Sequence, residues 1–383
     1  MRVQRAVGQP GMLLCLAGAV LLATGGAPQT IRERMRERRE RRQAAKAAQA
    51  DTGLVSRITT LKPGGARLDW IDGKIAFDMQ GPDGNFGVYV MKPDGSDARC
   101  MTCGNPDLPH RNIGQPAWDP SGRYLVIQVE KASHQKVRFT HSLTPGGGVL
   151  NDLWVLDTST NHATKIRDVA DAPGQGTLHA HFSADGSMLS WSEMQEKAGL
   201  KKGKQLGYWN LMIADFRVAG GRPSLANVRA LNPGKPGFHE NHGFSPDGSR
   251  LIFSSNFEAK RWVENDVYVM DLRTRKLTRL TNGGWNEHAI FSPDGRSIVW
   301  MSNVASPGGG TDYWIMNSDG SNKRRLTYFN EKGHAEYRGG RFMVADLSWR
   351  PDGNAFAGSC GGKVVMESKT SPTEIILVEL RLK

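Results

Sequence analysis

The chain has 383 residues, and its 50 Lys and Arg against 38 Asp and Glu give a formal net charge of +12. It contains 45 Gly and 19 Pro, and no long segment shows a helical hydrophobic period, which excludes a helical protein. The length is large for a single core unless that core is distributed over repeats. No zinc-finger spacing or RNA-binding motif accompanies the basic charge, so we expect no nucleic-acid partner.

The first 27 residues have the layout of a secretory signal peptide. Arg2 and Arg5 form a basic start, an apolar run covers residues 12–23, and small residues follow as far as Ala27. The run is too short to cross a bilayer comfortably. We therefore expect a periplasmic or secreted protein, cleaved between about residues 23 and 30, without a transmembrane span in its mature form.

The composition changes abruptly in residues 28–53, from apolar to highly charged. Within them, residues 31–42 carry seven Arg against three Glu and almost no apolar face. Because nothing there would hold a helix to a core, we expect a charged linker or a solvated helix. An arm that touches anionic lipid, glycan or nucleic acid is the alternative.

A short turn motif recurs along the rest of the chain, each time with an aromatic residue in front and an apolar strand behind. Its copies begin at Trp118, Phe182, Phe244, Phe291 and Trp349, and the clearest one reads Phe-Ser-Pro-Asp-Gly over residues 244–248. Pro presets the φ angle of a tight turn, Asp bonds the backbone ahead, and Gly accepts a positive φ. Five copies predict a repeat architecture of β-hairpins.

Two further strand types follow each turn motif, which gives a unit of four antiparallel strands repeated six times. Residues 54–383 are therefore predicted to form an all-β, six-bladed propeller. The last unit lacks its fourth strand, whereas residues 56–61 resemble a fourth strand without a blade. We expect this N-terminal strand to pair with residues 375–380 and complete the last blade, so that the ring has no open edge and the protein is a monomer.

The turn motifs and the strands that follow them resemble the WD40-like (PD40) repeats of TolB-type propellers over about residues 54–383. The strand Val-Tyr-Val-Met-Asp at residues 267–271 and the ending Arg-Leu-Thr-Asn at residues 279–282 belong to this resemblance. It implies an exported binding scaffold for a protein or an envelope polymer.

Polar residues concentrate at the start of the strands that should line the central channel. The third position before each turn-motif aromatic holds Gln115, His179, Asn241, His288 or Asp346, and His181, His239, Glu240, His242 and Glu287 are close by. Strand alternation places His239, Asn241, His179 and His181 on one side, and His242 joins them only if its strand carries a bulge. Such a ring can hold a divalent cation such as Mn, Ca or Zn, or it can simply bind water.

The three successive histidines also resemble the site of oligogalacturonate lyases, which are TolB-like propellers that hold a metal through three His and one Gln. The resemblance implies metal ligation by His179, by His242 or His239, and by His288, with Gln115 as an amide ligand. The remaining ligand-binding candidates are His181, Asn241 and Asp346. This alternative to the scaffold is a metal-dependent enzyme that acts on an acidic polysaccharide, with no catalytic residue assigned, or a purely structural channel metal.

Two long loops should surround the channel mouth with positive charge. They cover residues 131–151 and 195–207, and the fourth blade adds two more basic residues. The basic set is Lys131, Lys136, Arg138, Lys197, Lys201, Lys202, Lys204, Lys260 and Arg261. A basic rim would attract an acidic glycan or an acidic protein surface to the channel face.

Three cysteines remain after the signal segment. Cys100 and Cys103 end a predicted fourth strand, and Cys360 lies far from them in sequence. In an oxidising compartment Cys100 and Cys103 can form a local disulfide, with Cys360 left over, although buried thiols would fit the same pattern.

Overall fold

The structure is a computed structural model that describes residues 53–134, 147–196, 206–259, 261, 264–306, 309–338, 341–362 and 373–382. The predicted signal peptide and almost all of the predicted charged segment lie outside these residues. Every regular element in the described ranges is a β-strand, and the strands form six four-stranded antiparallel sheets. Within the described part of the chain, no helical segment has the length and apolar character of a membrane span.

Each sheet is one blade, and its strands are called A to D from the channel outward. Blade 1 contains β2 (Gly65–Ile71), β3 (Lys74–Gln80), β4 (Phe86–Met91) and β5 (Arg99–Cys100). Blade 2 contains β6 (Ile113–Trp118), β7 (Tyr124–Glu130), β8 (Asn151–Asp157) and β9 (His162–Arg167). Blade 3 contains β10 (Thr177–Phe182), β11 (Met188–Glu196), β12 (Tyr208–Ala219) and β13 (Arg222–Ala230).

The second half of the ring repeats this arrangement. Blade 4 contains β14 (His239–Phe244), β15 (Arg250–Ser255), β16 (Asp266–Asp271) and β17 (Leu277–Arg279). Blade 5 contains β18 (Asn286–Phe291), β19 (Ser297–Ser302), β20 (Asp312–Asn317) and β21 (Arg324–Arg325). Blade 6 contains β22 (Phe342–Trp349), β23 (Ala355–Gly362) and β24 (Thr373–Leu380), with β1 (Val55–Pro63) as its D strand.

The predicted closure of the ring is confirmed. Strand β1 pairs antiparallel with β24, and its partners run from Val55 opposite Leu380 to Pro63 opposite Glu374. The first and last strands of the propeller therefore complete one blade, which leaves no gap between blade 6 and blade 1.

The turn motif forms the hairpin between strands A and B, as its residue types predict. In blade 4, the N–H of Gly248 donates to the carbonyl of Ser245, and the Ser249 N–H donates to Asp247 Oδ1. The Ser245 hydroxyl donates to Asp247 Oδ1 and accepts the Arg250 N–H. The motif therefore satisfies its own polar groups, and the aromatic residue before it is free to pack between blades.

The hydrophobic core is distributed around the ring. Among the described residues, an apolar cluster lies at each junction between neighbouring blades, including the junction of blade 6 with blade 1. Fully buried members include Phe77, Leu125, Trp191, Phe253, Trp300 and Phe356. Blade-to-blade packing rather than one central core therefore holds the A strands around the channel.

All strands within a blade are antiparallel, so chain connections alternate between the two faces of the disc. The turn motifs lie on one face. The loops from B to C and the connections from D to the next A strand lie on the other, which we call the mouth face. The A strands run from the mouth face inward, so their first residues line the mouth of the channel.

Candidate metal centre

Every A strand carries a β-bulge shortly before its turn. The pairing register with strand B shifts between Gly65 and Leu68, Gly114 and Ala117, Leu178 and His181, Asn241 and Phe244, Glu287 and Ile290, and Val344 and Leu347. A bulge adds one residue to one strand, and this reverses the side to which the following side chains point. The channel wall is therefore set by the bulges and not by simple alternation along each strand.

The bulges impose a left-handed backbone on polar residues. Gln115, His179 and His288 have φ angles of 52°, 49° and 52°. Residues with a side chain adopt this region at a penalty of about 1–2 kcal/mol, whereas Gly adopts it without that penalty. A strained backbone that keeps imidazole and amide side chains in three blades indicates a site whose chemistry needs them.

In blade 4 the bulge lies one residue nearer the turn than in blades 2, 3 and 5, and the left-handed residue is Gly243, with φ 96°. A Cβ atom at Gly243 would lie 3.1 Å from the Cβ of His181, so glycine also permits the close approach of blade 3. The extra residue turns His242 into the channel. The condition under which His242 was expected to join the channel histidines is met.

Three imidazoles meet in the channel from three neighbouring blades. The ring centroids of His179, His242 and His288 are 5.4–5.7 Å apart. One ring nitrogen of each histidine lies within 4.8 Å of one ring nitrogen of each of the others. His179 and His242 are 4% and 3% exposed. We call these three residues the histidine cluster.

Two further predicted candidates border the cluster. The Nε2 atom of Gln115 lies 3.1 Å from Nε2 of His179. Asp346 Oδ1 lies 3.7 Å from Nδ1 of His179 and 3.5 Å from Nδ1 of His288. Together with His181 these residues line a cavity of about 20 Å³, which admits a single ion or water molecule and no larger ligand.

Burial keeps two imidazoles of the cluster neutral. Loss of water lowers the pKa of His179 and His242 well below the usual value, and the neighbouring histidines lower it further. Burial also lowers the pKa of His181 to about 4, against a smaller opposing effect of Asp346. A neutral imidazole has a free lone pair, which is the form that binds a metal ion.

Two residues that were predicted to bind a ligand make hydrogen bonds within the protein instead. His239 was expected to share a face with His179, but its ring nitrogens contact the Ser255 hydroxyl and the Lys235 carbonyl. The Asn241 amide donates to the carbonyls of His179 and Ser190 and so ties blade 4 to blade 3. Both side chains therefore make hydrogen bonds within and between blades, while the bulge turns His242 into the channel.

Arg67 is a channel residue that the sequence analysis missed. Its guanidinium forms two hydrogen bonds with Asp78, of 2.6 and 2.8 Å, and Asp78 also accepts the N–H of Gln115. Blade 1 lacks the full turn motif, but Trp70 takes the place of its aromatic, and the third residue before Trp70 is Arg67. The same count that found His179 would therefore have found it.

Two residues of the predicted basic rim lie in the described part of the chain. Lys131 is buried, and its ammonium contacts Asp152 and Asp168 at 2.8 Å each, so it does not face a ligand. Arg261 is exposed and pairs with Glu264 at 2.9 Å. The other seven basic residues lie outside the described residues.

The cysteines form the predicted local disulfide. Cys100 and Cys103 are bonded, with their Cα atoms 5.6 Å apart, and Cys360 is a buried free thiol. Burial raises the pKa of Cys360, and nearby Glu374 raises it further, so the thiol is unreactive.

The residues present fit a bound transition-metal ion. Three imidazoles offer nitrogen ligands, the cavity has the size of one ion, and an amide and a carboxylate lie beside it. Imidazole suits Fe, Ni, Cu and Zn, and the neighbouring carboxylate and amide oxygens suit Mn, whereas Ca prefers a cage made only of oxygen atoms. The donor set therefore favours Mn or Zn over Ca.

The TolB beta propeller domain family (PD40) matches residues 223–360. Dipeptidyl-peptidase 5 of Porphyromonas endodontalis is 24% identical over 239 residues, which are 56% of this chain and 32% of that protein. The chain thus spans about a third of the length of this relative. It contains no Gly-x-Ser-x-Gly motif of a serine hydrolase.

Solved structures show the same fold. TolB from Acinetobacter baumannii superposes with a TM-score of 0.51 at 15% identity, over 80% of this chain and 63% of that one. Oligogalacturonate lyase in complex with manganese superposes with a TM-score of 0.50 at 14% identity, over 86% of this chain and 95% of that one. The predicted fold and repeat type are confirmed: the chain is a six-bladed β-propeller with the fold of these structures, and its residues 223–360 match the TolB beta propeller domain family.

Proposed function

We propose that this propeller binds one divalent transition-metal ion in its channel, through His179, His242 and His288. The observation that supports this proposal is the convergence of three buried imidazoles, with nitrogens within 4.8 Å of one another, from three separate blades. Two of the three sit on left-handed backbone, although blade packing requires no histidine there. Gln115 and Asp346 flank the ion.

The protein's own groups hold and orient the site. Burial keeps His179 and His242 unprotonated, and the Ser254 hydroxyl, 2.9 Å from Nε2 of His242, fixes the orientation of that ring. A bound ion would supply Lewis acidity, which polarises an oxygen atom of a ligand at the channel mouth. Because the cavity holds only one ion or water, a larger substrate has to approach from the mouth face.

The reaction class we propose is metal-dependent action on a carbohydrate chain. The similarity in fold to oligogalacturonate lyase in complex with manganese is the reason to test an acidic polysaccharide first. Elimination on an oligogalacturonate would produce an unsaturated uronate, which is followed by its ultraviolet absorbance with and without added Mn²⁺.

The test of metal binding compares untagged wild type with His288→Asn. Asn accepts left-handed backbone more readily than most residues, so the bulge at φ 52° should survive while the imidazole is lost. We expect elemental analysis to find about one Mn or Zn per wild-type chain, and thermal unfolding to shift upward when the ion is added. His110→Asn, which removes an exposed imidazole, is the matched control and should behave like wild type. Wild type without stoichiometric metal and without a thermal shift would contradict the proposal.

A second candidate is a binding scaffold for a protein. It is supported by the outer hairpin of blade 3, where β12 and β13 have 12 and 9 residues and carry Val218 and Val228, each 40% exposed. An exposed outer strand with apolar side chains can pair with an extended peptide. A stoichiometric partner that is lost on Val228→Glu but kept on His288→Asn would support this role, and a partner unaffected by Val228→Glu would contradict it.

We also propose that the protein is exported and monomeric. The proposal is supported by the signal-like residues 1–27 and by the disulfide between Cys100 and Cys103, which persists in oxidising compartments. Intact mass of protein from its host should show cleavage between about residues 23 and 30. Light scattering should give the mass of one chain, and retention of residues 1–27 in a cytoplasmic protein would overturn export.

A further inference from the structure

A buried carboxylate stands beside the histidine cluster on its mouth side. Glu240 lies on β14, two residues before His242, and is 5% exposed. Its Oε1 atom is 3.3 Å from Nε2 of His179, and its Oε2 atom is 4.0 Å from Nε2 of His242. The two oxygens of one carboxylate therefore face two members of the cluster on neighbouring blades.

Blade 5 provides an internal comparison. Glu287 lies four residues before Phe291, as Glu240 lies four residues before Phe244, and it is 7% exposed. Its Oε1 atom accepts a short hydrogen bond from the Asn265 amide, and the Trp285 side chain donates to the same carboxylate. Glu287 is therefore satisfied by donors within and next to its own blade.

Glu240 has no such donors. Its Oε2 atom is fully buried and finds no hydrogen-bond partner among the described residues. A buried carboxylate oxygen without a donor or a cation is strongly unfavourable, because it has lost its hydrating water and no hydrogen bond or ion replaces it. The groups that face it are imidazole nitrogens of the cluster, and the nearer of them, Nε2 of His179, can share a cation with it.

We propose that Glu240 is a fourth protein ligand of the channel metal, so that the site consists of three histidines and one glutamate. This inference rests on the proposed function and deepens it. A carboxylate lowers the net charge of a divalent site from +2 to +1, which strengthens binding in a buried cavity. It also selects ions that accept mixed nitrogen and oxygen donors, namely Mn²⁺, Fe²⁺ and Zn²⁺.

The fourth ligand also bears on what the site can do. A tetrahedral Zn²⁺ with four protein ligands has no open position and is structural. Mn²⁺ or Fe²⁺ with six positions would keep two for a ligand from the mouth face. The three-histidine, one-glutamate set therefore predicts that a reactive form of this protein carries Mn²⁺ or Fe²⁺ and that the Zn²⁺ form is inert.

The test uses the full chain and two ions alone, Mn²⁺ and Co²⁺. Binding of Mn²⁺ is measured by loss of the free-ion electron paramagnetic resonance signal, and the ligand field by the visible spectrum of bound Co²⁺. We expect Glu240→Gln to weaken Mn²⁺ binding about tenfold or more and to change the Co²⁺ spectrum. Glu240→Asp keeps the carboxylate on a shorter side chain and should recover part of the affinity.

Glu287→Gln is the matched control, since it neutralises a carboxylate of equal burial that already has donors. It should bind Mn²⁺ within about threefold of wild type and leave the Co²⁺ spectrum unchanged. Wild-type affinity and an unchanged spectrum in Glu240→Gln would refute the fourth ligand, while metal binding by the histidines would still stand. Wild type that binds neither ion would refute both. If Glu240→Gln does not fold, Glu240→Ala takes its place, since it also removes the carboxylate, and wild-type affinity with an unchanged spectrum in that variant would refute the fourth ligand.

Discussion

The backbone N–H of His288 donates to Nε2 of His242, 3.1 Å away. In blades 2, 3 and 4, the backbone N–H three residues before the turn-motif aromatic donates instead to a strand-B side chain of the preceding blade. These hydrogen bonds run from Gln115 to Asp78, from His179 to Gln128 and from Asn241 to Ser192. Blade 5 uses an imidazole of the cluster in place of that side chain. A neutral imidazole has one free lone pair, so Nε2 of His242 accepts this N–H or binds a metal ion, but not both. The two candidate ligands are therefore coupled through the backbone of the bulge in the metal-free protein.

This coupling predicts unequal effects of two substitutions. His242→Ala leaves the buried N–H of His288 without its acceptor, which costs about 1–3 kcal/mol in unfolding free energy in addition to the lost ligand. His288→Asn keeps the backbone donor and its acceptor. Urea unfolding of the metal-free variants should therefore place His242→Ala clearly below His288→Asn, and equal midpoints would show that the contact does not matter.

Gly243 should be essential for the position of His242. Gly243→Ala adds strain at φ 96° and brings its Cβ to 3.1 Å from the Cβ of His181, so we expect weaker metal binding as well as lower stability. Gly73→Ala is the control, because Gly73 has φ 70° and no atom within 4 Å of the added Cβ. Both variants should lose about 1 kcal/mol from the backbone. Equal Mn²⁺ affinities in the two variants would contradict the role of the bulge.

The metal-free protein should lose stability in mild acid. His181 has a folded pKa of about 4, against about 6.5 in the unfolded chain, so the unfolded state binds the extra proton as the pH falls below 6.5. Its contribution is present above pH 6.5 and disappears as the pH falls toward 4, on the order of 3 kcal/mol in total. Urea unfolding over this pH range should show a smaller slope for His181→Gln. A slope equal to that of wild type would show that His181 is not buried neutral.

The repeats and the closure of the ring could be predicted, because each turn motif satisfies its own polar groups. Its structure therefore depends on residues that are adjacent in the sequence. Gln115, His179, His288 and Asp346 were found by counting back from the turn-motif aromatic. The position of His242 depended on a bulge that is set by packing between blades, and strand alternation alone cannot place such a bulge. The burial of Lys131 depends on Asp152 and Asp168, which the sequence does not show to be its neighbours.

The closure of blade 6 gives a direct test of the fold. Deleting residues 54–62 removes nearly all of β1 and exposes the edge of β24. We expect loss of cooperative unfolding, or aggregation through the open edge. Thermal unfolding indistinguishable from that of the full chain would mean that β1 does not close the ring.

The most direct test of the central claim is anomalous scattering from crystals of the untagged protein soaked in Mn²⁺, recorded near the manganese absorption edge. We expect one anomalous peak per chain in the channel, bonded to nitrogens of His179, His242 and His288. Absence of a peak there, with the three rings ordered around water instead, would contradict it.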